Sequence, residues 1–283
     1  MKIDAHQHFW NYDPVEHAWI DDSMAAIQRD FRPNDLHPLL TENGFDGCIY
    51  VQVSQTEAET ESMLRLADKH SFIKGVVGWL DLCAPNISDR LQYFSQFPAL
   101  RGLRYILQDK EDAFMLRPDF QNGIAQLSRC GLTYDVLIFP RHLAAAEKLV
   151  RQFPNQKFVI DHLAKPDIKN REIKNWRAGI DAIARHQNVF CKVSGMVTEA
   201  DWQKWQPSDL RPYLDVVFEA FGARRLMFGS DWPVCLVAAS YRQVISAVRD
   251  YISNLSTDEQ TDVLGLTAAR FYNIRPTLLH TDT

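Results

Sequence analysis

Apolar residues fall along this chain in two rhythms. Short runs rich in β-branched and aromatic residues recur at 2–8 (KIDAHQH), 47–53 (GCIYVQV), 73–81 (IKGVVGWLD), 100–106 (LRGLRYI), 132–138 (LTYDVLI), 157–163 (KFVIDHL), 189–195 (VFCKVSG) and 225–231 (RLMFGSD). Each has the length and composition of a strand. Between them, stretches such as ETESMLRLADKH (59–70), LAAAEKLVRQF (143–153) and WRAGIDAIARH (176–186) space apolar residues three and four apart, as one face of a helix requires. Strands alternating with helices predict parallel βα units, and eight of them predict an α/β fold: one closed (β/α)8 TIM barrel spanning residues 1–283. A doubly wound open sheet competes, but it seldom needs eight regular units, and no G-x-G-x-x-G follows the first strand.

A barrel gives the polar residues inside these runs a meaning. In the opening IDAHQHFW, strict alternation puts Asp4, His6 and His8 on one face, aimed into the barrel near its C-terminal mouth. His162 falls near the end of the sixth strand and Asp231 at the end of the eighth, while Arg104 lies on the fourth, Lys192 on the seventh and Lys165 just beyond the sixth. One buried histidine or aspartate is usually a satisfied structural group. Ionisable groups converging in a low-dielectric barrel are costly unless paired, hydrogen-bonded or metal-bound, so the convergence of His6, His8, His162 and Asp231 points to a site. Arg104, Lys165 and Lys192 suit substrate oxygens or a carboxylate; each suits equally well an ion pair with an acid such as Asp161 or Asp81. Alternation places Asp161 opposite His162, in a structural role. In VQVSQTEAETE (51–61), Thr56 or Ser54 is expected to cap the next helix, with the acidic run as its solvated start.

Two connections exceed what a barrel needs. Residues 9–34 carry Trp10, Tyr12 and Trp19, and residues 196–212 carry Trp202 and Trp205. Loops that follow strands border the active-site face, so these aromatics suit lids or sugar-stacking surfaces, or simply packing of the loops.

A net charge of −5 without clustering of either sign excludes the basic footprint of a nucleic-acid or anionic-membrane binder and favours a small-molecule partner. The five cysteines are odd in number, widely spaced and free of C-x-x-C pairs, so they read as reduced thiols. With no secretory leader pattern and no long apolar run, the expected location is the cytoplasm.

The runs DAHQHFW (4–10), VVGWLDL (76–82), LRGLRYI (100–106), VIDHLAKP (159–166), NVFCKVSGMVTEADW (188–202) and RLMFGSDWPVC (225–235) together resemble the amidohydrolase superfamily, in its amidohydrolase 2 branch. Within that branch the chain is similar to sugar-lactone lactonases, L-fuconolactonase-like proteins above all, and to pyrone-dicarboxylate lactonases. The resemblance implies a (β/α)8 barrel with H-x-H on strand one, histidines on strands five and six and an aspartate on strand eight. His6, His8, His162 and Asp231 match. The fifth run offers Tyr134 and Asp135 in place of histidine, and the fourth carries Arg104 in place of a bridging Lys or Glu, so a binuclear metal centre is not expected. The expected chemistry is hydrolysis of a sugar lactone, with Asp231 as base and His6, His8 and His162 as donors to the lactone carbonyl. No cofactor is required, or a single zinc sits on His6, His8 and His162 or Asp231. Arg104, Lys165, Lys192, Gln52 and Trp79 are expected to contact substrate. The alternatives are a carboxylated pyrone- or muconate-type lactone as substrate, a metal-dependent decarboxylase, and a non-catalytic sugar-acid-binding barrel.

Overall fold

The computed structural model describes residues 1–275; positions 276–283 of the expected domain lie outside the described residues. Eight parallel strands follow sequence order: β1 (Ile3–Gln7), β2 (Gly47–Val51), β3 (Ile73–Gly78), β4 (Leu100–Ile106), β5 (Thr133–Leu137), β6 (Phe158–Ile160), β7 (Val189–Val193) and β8 (Leu226–Phe228). The ring closes just past the ends of β1 and β8, where His8 N donates to Trp232 O (2.7 Å) and Asp231 N to His6 O (2.8 Å). Helices α1 (Pro33–Glu42), α2 (Glu57–Lys69), α3 (Ile87–Phe94), α4 (Pro118–Leu127), α5 (Leu143–Gln152), α6 (Lys174–Ile183), α7 (Met196–Glu199), α8 (Pro207–Phe221) and α9 (Tyr241–Ile252) lie between and after the strands. The architecture is the expected TIM barrel. No helix among the described residues is long and apolar enough to cross a membrane, and none of the cysteines is paired.

The strands are apolar on both faces, as parallel strands under helices must be. Tyr134, Val136, Phe158, Ile160, Cys191 and Phe228 belong to the large core shared with Leu149, Ile180, Leu214 and Ile245 of the helices. A second cluster of Ile3, Ala5, Ile49, Val51, Val77, Val159 and Met227 fills the barrel interior with Ala268, Phe271 and Tyr272 of the C-terminal segment, which packs against the start of the chain. Thr56 caps α2 by accepting from Glu59 N (3.1 Å).

Strands six and eight end earlier than the sequence pattern suggests. After Ile160 the backbone enters the left-handed region for four consecutive residues, His162 to Lys165, and Asp231 adopts it after β8, with φ +57°. L-residues avoid that region, so tertiary contacts must hold it. Trp176 Nε1 donates to Leu163 O (2.6 Å) and Lys165 N to His162 O (2.7 Å). Both turns redirect the chain at the barrel mouth, where the polar residues gather.

Arg225 staples the outer layer. Its guanidinium donates to the carbonyls of Ala184 (2.8 Å), His186 (3.1 Å), Val189 (3.1 Å), Phe221 (3.2 Å) and Ala220 (3.3 Å). Arg225→Met keeps the stem but strands these acceptors, and is expected to cost about 2–3 kcal/mol, lowering Tm by roughly 5–10 °C. Thermal unfolding of the variant measures this; an unchanged Tm would show the staple to be inert.

Candidate active site

The first strand does not alternate strictly. Its register against β2 shifts between Asp4 and Gln7, a bulge that turns His6 inward while Asp4 faces the helix layer. Asp4 is thus no partner of the histidines: its carboxylate accepts from Ser230 N (2.8 Å), Tyr241 Oη (3.1 Å) and His6 N (3.2 Å), and burial pushes its pKa up to about 6.

His6, His8, His162 and Asp231 meet at the mouth, each at least 95% removed from solvent. Asp231 Oδ1 lies 3.5 Å from His8 Nε2 and 3.8 Å from both His6 Nε2 and His162 Nε2. His8 Nδ1 is 2.8 Å from the Val51 carbonyl. A carbonyl only accepts, so His8 carries its proton on Nδ1 and turns a lone pair at Nε2 toward the site. The resemblance implied three histidine donors; this bond makes His8 Nε2 an acceptor. His162 Nδ1 is 2.9 Å from Ser194 Oγ, and its ring lies against Gly195 (φ +63°), where an added Cβ would come within 2.5 Å of Nδ1. Only glycine fits there.

Burial by itself would raise the Asp231 pKa, but attraction to His162, His8 and His6 once acid protonates their rings more than offsets it and holds the carboxyl below the usual carboxylate range. Burial works the other way on the imidazoles. It lowers His8, lowers His6 well below its ordinary value and pushes His162 down to about 4. At neutral pH the mouth holds an ionised carboxylate among neutral histidines.

Beneath them lies a charged floor. Lys192 is fully buried, with Nζ 2.5 Å from Asp135 Oδ2, 3.0 Å from Asp161 Oδ1 and 3.0 Å from His6 Nδ1. Tyr272 Oη donates to Asp135 Oδ2 (2.8 Å). Arg104 Nη1 reaches Asp161 Oδ2 (3.2 Å), and Nη2 donates to the Gln52 carbonyl. Burial raises Asp135 to about 6 against the pull of Lys192; for Asp161 burial also opposes ionisation, but Lys192, His6 and Arg104 prevail and hold it well below its usual range.

Arg104 and Lys192 therefore stand in ion pairs, and the expected placement of Asp161 on an opposite face gives way to one inside the barrel: alternation continued from Val159 aims Asp161 inward, and the left-handed turn that starts at His162 brings the histidine to the same side. Lys165 pairs with Glu199 (2.6 Å) beside the Phe139 ring, not with Asp81. Gln52 and Trp79 lie one residue past β2 and β3; Gln52 is buried, Trp79 packs on Tyr105, and Gln52 Oε1 and Trp79 Nε1 have no hydrogen-bond partner among the described residues. Of the loop aromatics, Trp10, Trp202 and Trp205 bond through their indole N–H to the backbone of Arg29, Thr198 and Ala238, which assigns them to loop packing. Sequence reasoning missed Asp135, Ser194, Glu199 and Tyr272. A lone acid inside the apolar LTYDVLI run was the available signal for Asp135.

His6, His8 and Asp231 can each offer one ligand atom within 4.8 Å of the others, and a second trio comprises His6, Asp161 and His162. Donors around a tetrahedral zinc at about 2.0–2.1 Å are spaced much as the first trio is. The second shares Asp161 with Lys192 and Arg104, so the first fits one divalent ion better. Asp135, the acid on β5, is engaged by Lys192.

The family model described as amidohydrolase matches residues 3–274. An L-fucono-1,5-lactonase of Burkholderia multivorans is 41% identical over 96% of each chain, and one of Burkholderia ambifaria is 37% identical over 97% of this chain and 96% of its own. The crystal structure of an amidohydrolase from Burkholderia multivorans with bound zinc superposes with a TM-score of 0.94 at 41% identity, covering 97% of this chain and all of the other.

The lowered His162 pKa has a stability signature. The fold favours the neutral ring, so its contribution is complete above the ordinary value of 6.5 and is lost as pH falls toward about 4. Denaturant unfolding across that window should show a loss on the order of 3 kcal/mol that His162→Asn lacks. Parallel curves for the two proteins would refute the assignment.

Proposed function

The chain belongs to the amidohydrolase family, and on that premise we propose that it hydrolyses a neutral sugar lactone of the L-fucono-1,5-lactone kind to the sugar acid, with Asp231 as the base. The two Burkholderia relatives support the lactonase activity, at 41% and 37% identity over nearly the whole chain. The observation that carries the mechanism is Asp231 Oδ1, held ionised within 3.8 Å of three imidazole nitrogens.

The carboxylate of Asp231 takes a proton from water as the oxygen attacks the lactone carbonyl. Charge then develops on the carbonyl oxygen, and preorganised N–H groups in a desolvated mouth stabilise it at no cost in reorganisation. With Ser194 Oγ donating to His162 Nδ1, His162 offers such a group at Nε2. Collapse of the tetrahedral intermediate expels the ring oxygen, which receives the proton held by Asp231 and becomes the free hydroxyl of the acid. The partnerless Trp79 Nε1 and Gln52 Oε1 suit substrate hydroxyls, because buried polar atoms without partners are rare. A divalent ion held by His6, His8 and Asp231 would polarise the carbonyl and acidify water. The zinc bound in the Burkholderia multivorans structure supports such an ion, while the residues above supply base and donor by themselves.

Charge pairing favours a neutral substrate over a carboxylated one. Arg104 and Lys192 are matched by Asp161 and Asp135, and Lys165 by Glu199. The decarboxylase reading lacks a histidine on β5.

A comparison of L-fucono-1,5-lactone and other aldonolactones with a pyrone-dicarboxylate lactone, read by acid release, is expected to show turnover on the aldonolactones at least about 100-fold faster. Asp231→Asn should lower kcat by about 10³-fold or more while the sugar acid still binds. Turnover of no lactone would leave only a binding protein. Chelation should leave aldonolactone turnover intact; loss that zinc restores would make the ion essential.

A further inference from the structure

Resting on the proposed hydrolysis, we infer that Lys192 is a positioning residue that fixes the tautomer of His6, making His6 a hydrogen-bond donor to the lactone carbonyl and weakening it as a metal ligand. The direction of the two bonds at either end of the network follows from their ends. Lys192 Nζ is an ammonium wedged between Asp135 and Asp161, with only protons to offer, and it stands 3.0 Å from His6 Nδ1. His6 Nδ1 is therefore the acceptor, and the ring proton of neutral His6 sits on Nε2.

The other end of the chain requires the same answer independently. His8 Nδ1 donates to the Val51 carbonyl (2.8 Å), so His8 Nε2 is a lone pair, and it lies 3.2 Å from His6 Nε2. One of two facing nitrogens must donate, and only His6 can. The bonds run one way, from Lys192 to His6 to His8 to the Val51 carbonyl. Arg104 Nη1, 3.3 Å from His6 Nε2, also has only protons to offer and pulls toward the other tautomer, but it is the longest of the three hydrogen-bond contacts to the His6 ring nitrogens, and Nη1 has Asp161 Oδ2 at 3.2 Å as a charged acceptor.

Two consequences follow for the site. His6 Nε2–H is free to turn from His8 to a carbonyl oxygen entering the mouth, as a second donor beside His162. A metal bound at His6 Nε2 requires that proton to move to Nδ1, where it would face the Lys192 ammonium. The ordinary arrangement for a metal-binding histidine, a carboxylate behind the far nitrogen, is within reach, since Asp161 Oδ1 is 3.5 Å from His6 Nδ1, but Lys192 stands closer.

The test begins with the unmodified full-length protein after chelation, labelled with ¹⁵N in its histidines. Long-range ¹H–¹⁵N spectra, assigned with His6→Asn and His8→Asn, should show His6 protonated on Nε2 and His8 on Nδ1. His6 protonated on Nδ1 would overturn the inference. The second arm replaces Lys192 by Met together with Asp135→Asn, which removes cation and counter-charge at once and spares the fold an unpaired acid. His6 should then switch to the Nδ1–H form, bonded to Asp161, and zinc titration should give a Kd at least about tenfold tighter than that of the unmodified protein. Unchanged zinc affinity in a folded variant would refute the role of Lys192. Both readouts are made without substrate, so failure of the lactonase reading shows in acid release and failure of this one in the spectra.

Discussion

The ammonium of Lys192, sealed inside the barrel, is the constraint on which the site depends. It joins Asp135 on β5, Asp161 after β6 and His6 on β1 to its own strand β7, and Tyr272 from the C-terminal segment completes the shell around Asp135. Taking such charges out of water seldom adds net stability, yet removing one partner of a buried pair costs about 3–5 kcal/mol. The network therefore fixes relative positions. It carries the apolar plug of the barrel interior up to the histidines without leaving a bare charge, with Lys192 and Arg104 balanced by Asp135 and Asp161.

Above that floor, burial and charge divide the titrating groups by role. The same dry environment that keeps three imidazoles neutral would raise the Asp231 pKa too; it stays low because, as pH falls, the histidines facing it gain charge before it loses its own. A base that stays ionised beside groups able to donate without being charged is what lactone opening demands, since negative charge passes from carboxylate and water to the carbonyl oxygen. The backbone gives up regularity to make this possible. Left-handed residues at Asp231 and from His162 to Lys165 turn two strand ends so that their side chains face β1 across the mouth. Strain placed at such turns is repaid by contacts like that of Trp176 with Leu163.

Much of this was legible in the residues. Eight apolar runs and the helical spacing between them gave the barrel, and the histidines and aspartate at the run ends gave the site, because both depend on periodicity and on the cost of burying charge. Where periodicity breaks, the sequence misleads. The bulge in β1 separates Asp4 from His6 although alternation unites them, and the turn that ends β6 brings His162 to the same side as Asp161 although alternation parts them. Partner choice is hidden as well. Whether Lys165 meets Asp81 or Glu199, and whether Lys192 meets a substrate or Asp135, depends on distances across the ring that no local pattern records.

Hydrolysis at this site requires water to attack the lactone carbonyl with Asp231 as the base. Hydrolysis of L-fucono-1,5-lactone in H₂¹⁸O under single-turnover conditions measures this directly. One heavy oxygen in the carboxylate of the acid and none in the released hydroxyl is the predicted result. Label in the hydroxyl, the mark of cleavage on the far side of the ring oxygen, would contradict it.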